Sequence, residues 1–140
     1  MCAFVVGNAN YGETLGQLKY PKHDANEVVE SLKSLGVKND NIIKVINGDS
    51  FTMREEFDKF VKLCKRGDLA FIFFSGHGCN FNNHQCLMAL PLSNERRMLD
   101  NDGRLQSILE SSLQVDKMLA KLQPIGAKHL VLLDCCRASR

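Results

Sequence analysis

The chain has 140 residues, with 44% hydrophobic, 24% charged and 7% aromatic side chains and a formal charge of +2 at pH 7. That is one domain's length, enough to bury a sizeable core, and the balanced charge excludes both the basic footprint of a nucleic-acid binder and an acidic disordered tail. The longest apolar run, Leu69 to Phe74, falls far short of the roughly 18 residues a membrane helix needs.

Taken in chain order, Cys2-Ala3-Phe4-Val5-Val6 is a continuous apolar run closed by Gly7, the pattern of a strand buried on both faces. Ala25, Val28, Val29, Leu32 and Leu35 recur at helical spacing with Gly36 after them, so a helix with a glycine stop is expected. The β-branched stretch from Ile42 to Ile46 reads as a second strand, ended by Asn47-Gly48. Thr52 and Glu55 have capping-box spacing ahead of a helix that carries Met53, Phe57, Phe60, Val61 and Cys64 and ends at Gly67. Leu69 to Phe74 is the third strand, and it runs into Ser75-Gly76-His77-Gly78. Cys86 to Leu90 is a shorter run stopped by Pro91, a peripheral strand or hairpin arm. Ser107 and Glu110 repeat the capping-box spacing, and Ile108, Ser112, Val115, Leu119 and Leu122 share one helical face that Pro124 and Gly126 break. His129 to Leu133 is the last strand, ending in Asp134-Cys135-Cys136. Strands alternating with helices predict an α/β fold, a mostly parallel sheet with helices on both faces. Six cysteines without a secretory leader read as reduced thiols of a cytoplasmic protein rather than a disulfide framework.

In open parallel sheets, ligands bind at the carboxyl ends of the strands. Two strands deliver reactive side chains there, His77 after the third and Cys136 after the last. A cysteine nucleophile must lose its proton, and imidazole is suited to take it near neutral pH. The two lie 59 positions apart, yet neighbouring parallel strands would bring them together. Gly76 and Gly78 remove bulk beside the histidine, so a substrate backbone could approach. On spacing alone, a buried strand-end cysteine and a histidine bound to some carbonyl is an equally good account.

The motifs separate the two. Ser75-Gly76-His77-Gly78 after one apolar strand, with Leu132-Leu133-Asp134-Cys135-Cys136-Arg137 on another, resembles the caspase-like cysteine peptidases. Phe4-Val5-Val6-Gly7-Asn8-Ala9-Asn10-Tyr11 and the helix start Lys22-His23-Asp24-Ala25 are similar to the opening of metacaspases and paracaspases, so the likeness covers nearly the whole chain. It implies a caspase-like fold and a cysteine endopeptidase with Cys136 as nucleophile and His77 as base. The backbone N–H of Gly78, with that of Cys136, would hold the oxyanion, and such donors are typically worth about 3 kcal/mol each. Cys135 stands where the family has a small residue and reads as packing. No third catalytic residue is evident; a backbone carbonyl could orient the imidazole.

Asp134 points to the branch. Caspases resemble this chain but carry glutamine there and recognise an acidic residue, whereas metacaspases and paracaspases carry aspartate and accept arginine or lysine. Asp24 matches a second acidic residue of that pocket. Carboxylates in a partly dry pocket would hold a guanidinium by charge-assisted hydrogen bonds. The plainer readings are a helix-dipole role for Asp24 and a turn cap for Asp134. The expected substrates are proteins or peptides with Arg or Lys before the cut. The Asp-Cys-Cys-Arg run lacks the His-Ser-Gly that often follows the metacaspase cysteine, which favours the paracaspase side.

Other features carry less. His77-Gly78-Cys79 and His84-Gln85-Cys86 have spacing unlike the usual zinc ligand pairs, and the glycines from Gly7 to Gly12 are followed by Glu13 and Thr14 rather than a phosphate-loop lysine. Asp100, Asn101, Asp102 and Gly103 lack a complete calcium loop and read as a polar turn, and Glu95-Arg96-Arg97 as solvated surface. No metal or cofactor is expected, with calcium activation left open by the resemblance to metacaspases. The likeness further implies that residues 1–140 are the large-subunit portion of a catalytic domain, completed by a C-terminal small-subunit segment. Without it the last strand would present an uncovered edge, inviting self-association or a homodimer. The rival class is a non-catalytic caspase-like interaction domain, which has no physical need for His77, Cys136, Asp24 and Asp134 together.

Overall fold

Five apolar residues and a glycine build the central strand, β1 (Cys2–Gly7), which is buried along its whole length. The computed structural model that places it describes residues 1–12, 15–81, 83–91 and 112–137, with the backbone alone at Phe81, Cys136 and Arg137. β1 pairs in parallel with β2 (Ile42–Ile46) on one side and β3 (Leu69–Phe81) on the other. Beyond β3 lies β6 (Lys128–Arg137), also parallel, in register from Leu69 beside Lys128 to Gly78 beside Arg137. The far end of β3 turns back into β4 (His84–Leu87), antiparallel, and β5 (Leu113–Gln114) pairs antiparallel with β4.

Alternation along the strands divides the apolar side chains between two faces. Ala3, Val5, Phe71 and Phe73 pack under α1 (Pro21–Ser34), which lays Ala25, Val29 and Leu32 on them. Phe4, Val6, Ala70, Ile72 and Phe74 face the other way, against Met53, Phe57 and Phe60 of α2 (Ser50–Leu63) and Met118 and Leu122 of α3 (Val115–Leu122). Phe4 meets Phe57 edge-on with ring centroids 5.3 Å apart. Helices therefore cover both faces of a mostly parallel sheet, the caspase-like α/β arrangement. No helix among the described residues is long and apolar enough to cross a membrane.

Several boundaries differ from the sequence expectation: β4 is His84–Leu87 rather than Cys86 to Leu90, β6 runs on past Leu133 to Arg137, and α2 stops at Leu63 ahead of Gly67. β3 continues to Phe81 through the Ser-Gly-His-Gly motif, since β6 pairs with it as far as Gly78 and β4 takes over from Gly78 onward. α1 begins at Pro21, whose fixed φ suits a first helical position, rather than at Ala25. α2 is capped by Asp49, whose Oδ1 accepts the Thr52 N–H at 2.8 Å, so Thr52 lies inside the first turn and does not open a capping box. The helix expected from Ile108 through Leu122 begins only at Val115, because Leu113 and Gln114 are extended against β4; Ser107, Ile108 and Glu110 lie outside the described residues. On β6, which pairs only with β3 among the described residues, Leu130, Leu132 and Leu133 are 45%, 48% and 37% exposed.

Candidate active site

The loop after β1 is held rigidly before it reaches the site. Asn8 is fully buried: its Oδ1 accepts the Gly48 N–H at 2.9 Å and its Nδ2 donates to the Met88 carbonyl at 3.2 Å. Asn47, left-handed at φ 56, turns its Oδ1 to accept the N–H groups of Ala9 (2.9 Å) and Asn10 (3.1 Å). So fixed, the loop drives Tyr11 into the interior. Its hydroxyl donates to the Met88 carbonyl at 2.9 Å and accepts the backbone N–H of His77 at 3.0 Å, and its ring lies 4.5 Å from the His77 ring at 56°. Burial pushes the phenol pKa up, so the hydroxyl keeps the proton it donates.

Gly16, further along this loop, places its carbonyl 2.8 Å from His77 Nε2. A carbonyl can only accept, so Nε2 carries a hydrogen, and in the neutral ring Nδ1 is then the basic nitrogen. The imidazole is thus held between the tilted Tyr11 ring and the Gly16 carbonyl.

His77 and Cys136 are register partners on neighbouring parallel strands, where backbones run about 4.7–4.9 Å apart. The expected convergence of the third and last strands therefore holds for the backbone. Gly76 is in register with Cys135 and Gly78 with Arg137. The two glycines have a packing role. A Cβ on Gly76 would lie 2.5 Å from Tyr11 Oη and 2.9 Å from the Phe74 ring, and one on Gly78 would lie 2.8 Å from Cys135 Sγ. They make room for the protein's own side chains. Half-buried Cys135 packs against the core beneath α2 and α3, as a packing residue should.

The two acidic candidates, far apart in sequence, line one cleft of about 260 Å³ together with Leu18, Lys19, Tyr20 and Ser75. Asp24 comes from the first turn of α1 and is half-buried; Ser75 Oγ donates to its Oδ2 at 3.4 Å. Asp134, in register with Ser75 on β6, is exposed, so the cleft is wetter at that wall than the sequence reading supposed. A cavity of about 280 Å³ between α2 and α3, lined by Arg54, Phe57, Lys117 and Lys121, contains none of the motif residues.

The weaker motifs resolve into local contacts. His84 Nδ1 pairs with Asp116 Oδ2 at 2.8 Å, and Cys79 is in register with Cys86 across the β3–β4 hairpin. Asp100 to Gly103 and the Glu95-Arg96-Arg97 run lie outside the described residues. Sequence reasoning gave no site role to Tyr11, Asn8, Asn47 or Ser75, although each stood in a quoted motif or turn, and it did not name Gly16. The Asn-Ala-Asn-Tyr run was visible only as a likeness, and a backbone acceptor such as Gly16 leaves no sequence signal.

The fold agrees with comparison to known proteins. The chain belongs to the caspase domain family of cysteine peptidases, which matches residues 1–140. It is similar to human mucosa-associated lymphoid tissue lymphoma translocation protein 1, at 26% identity over 135 residues. That alignment covers 96% of this chain and 15% of the human protein, so the chain spans a small part of its relative.

Proposed function

We propose that the protein is a cysteine endopeptidase using a Cys136–His77 dyad and cutting after arginine or lysine. The observation that carries this reading is the register pairing of His77 with Cys136 at the carboxyl end of the sheet. In the proposed reaction, Nδ1 of His77 takes the Cys136 thiol proton and the thiolate attacks the substrate carbonyl carbon. The developing oxyanion is held by the N–H groups of Gly78 and Cys136. The imidazolium returns the proton to the leaving amine, and water then hydrolyses the thioester by the same route in reverse. Gly16 keeps Nδ1 as the working nitrogen throughout.

Asp24 and Asp134 supply the selectivity. Two carboxylates in one cleft match a guanidinium or ammonium, and Ser75 steadies Asp24 for that contact. The absence of His-Ser-Gly after the cysteine supports the paracaspase side of the family. We read residues 1–140 as the large-subunit portion, with a small-subunit segment completing the groove beside β6; the exposed Leu130 and Leu132 support that placement. The test is hydrolysis of matched peptides with arginine, lysine, alanine or aspartate before the scissile bond, by residues 1–140 joined to the small-subunit segment and by the same longer chain carrying Cys136→Ala. Cleavage after arginine and lysine alone, absent in the variant, is the expected result. Equal cleavage of all four, or activity that survives Cys136→Ala, contradicts the reading. Hydrolysis of none by the intact protein favours the interaction-domain alternative.

A further inference from the structure

Two cysteines that this chemistry does not use meet at the amino end of the sheet, the end away from His77. Cys2 opens β1, in register with Ala70 of β3, and Cys64 is the C-cap of α2. Their sulfurs are 2.7 Å apart, and the residues are 1% and 7% exposed. We propose that Cys2 and Cys64 are a modification site, a buried dithiol that a peroxide converts to an intramolecular disulfide.

A disulfide bond is about 2.03–2.05 Å long, so the sulfurs need to approach by only about 0.7 Å. The two ends are already fixed, Cys2 by strand pairing on β1 and Cys64 by its N–H bonds to the carbonyls of Phe60 and Val61. No group of three His, Cys, Asp or Glu side chains that could hold a metal occurs among the described residues, so the pair has the makings of a redox site rather than a metal site. The two thiols are also inequivalent. The contact with Cys64 holds Cys2 below its ordinary pKa, against burial and the nearby Asp68 carboxylate, while the same contact and burial push Cys64 up. Attack by Cys2 with Cys64 resolving, or the reverse, gives the same disulfide.

The step balances with hydrogen peroxide as oxidant. With Cys2 first, the thiolate attacks one peroxide oxygen, and with a proton this gives the Cys2 sulfenic acid and one water. Cys64 then loses its proton, its sulfur attacks the Cys2 sulfur, and the hydroxyl leaves as a second water. Two thiols and one peroxide become one disulfide and two waters; sulfur is oxidised and the peroxide oxygens are reduced. The bond would close the chain around β1, α1, β2 and α2, the half that carries Gly16 and Asp24, and would restrict the unfolded state.

The test treats the protein with a small excess of hydrogen peroxide, blocks remaining thiols with iodoacetamide after unfolding, and maps tryptic peptides without reduction. We expect peptides 1–19 and 63–65 to appear joined, lighter by two hydrogens than their sum, and to separate with dithiothreitol. The oxidised protein should also melt several degrees higher, a gain absent from Cys64→Ser. Full iodoacetamide labelling of both cysteines would overturn the proposal, as would a link between Cys79 and Cys86 in its place, or sulfinic acid at Cys2 with no link. Should Cys64→Ser not fold, the peptide map of the unsubstituted protein decides the matter alone.

Discussion

A histidine that takes a proton from a thiol must keep one ring nitrogen free and hold its plane while it waits. In the proposed reaction three contacts would divide that work at His77: the Gly16 carbonyl on Nε2, the tilted Tyr11 ring beside the imidazole, and the Tyr11 hydroxyl on the His77 backbone N–H. Tyr11→Phe keeps the ring and removes only the hydroxyl, leaving the His77 N–H and the Met88 carbonyl without that partner. Loss of a buried partner costs about 1–3 kcal/mol. We predict a lower melting temperature and at least tenfold lower kcat with KM little changed; unaltered kcat in a folded variant would show that the hydroxyl does not position the histidine. Asp24 and Asp134 should not contribute equally. Asp24 is half-buried and steadied by Ser75, whereas Asp134 is exposed and screened by solvent. A charge-assisted contact is worth about 1.5–3 kcal/mol, roughly ten- to a hundredfold. Asp24→Asn should therefore lower kcat/KM for arginine peptides by at least tenfold, and Asp134→Asn by less. The reverse order, measured on the same peptide, would place the selectivity on β6 instead of α1.

Among the elements, the long apolar runs were legible from the residues alone. β1, between two hydrogen-bonded neighbours, falls where the apolar run from Cys2 to Val6 placed it, and β2, which pairs only with β1 among the described residues, falls where the β-branched run from Ile42 to Ile46 placed it. Ends and junctions were not, because distant partners set them. Nothing near residue 75 announces that β4 and β6 will extend β3 through the histidine motif, and Asp49 outcompetes Thr52 as a cap by where the chain enters α2. The candidate site divides in the same way. His77, Cys136, Asp24 and Asp134 were found from their motifs, while Gly16 contributes only a carbonyl and Tyr11 acts through a contact 66 positions away. The motif glycines have a packing role that the sequence did not announce. Since a Gly76 Cβ would lie 2.5 Å from Tyr11 Oη, Gly76→Ala should destabilise the protein by about 1–3 kcal/mol, as overpacking does. Denaturant unfolding checks this, and Gly76→Ala combined with Tyr11→Phe should recover part of the loss. A neutral Gly76→Ala would mean the loop yields more readily than its hydrogen bonds suggest.

For the whole molecule, the sheet has two unlike sides. From β2 to β3 it is covered on both faces, and at β6 three leucines are open to solvent. Apolar side chains beside an unpaired strand edge favour association. Leu130→Glu with Leu132→Glu should reduce self-association of the 140-residue chain in sedimentation equilibrium while leaving its helical signal intact. Unchanged association would move the contact away from β6. The opposite end of β6 brings Asp134 and Cys136 beside the end of β3 that carries Ser75 and His77, so the residues proposed for selectivity, nucleophile and base lie at one end of the sheet.

The central claim is that Cys136 is a nucleophile activated by His77 in a cleft that selects arginine. The most direct measurement is titration of the protein with a peptide inhibitor bearing arginine next to a thiol-reactive group, followed by mass mapping of the labelled cysteine. The account predicts one equivalent of label on Cys136, none on Cys135, and labelling slowed at least tenfold in His77→Ala. Label on any other cysteine, or a rate indifferent to His77 and to the arginine, would contradict it.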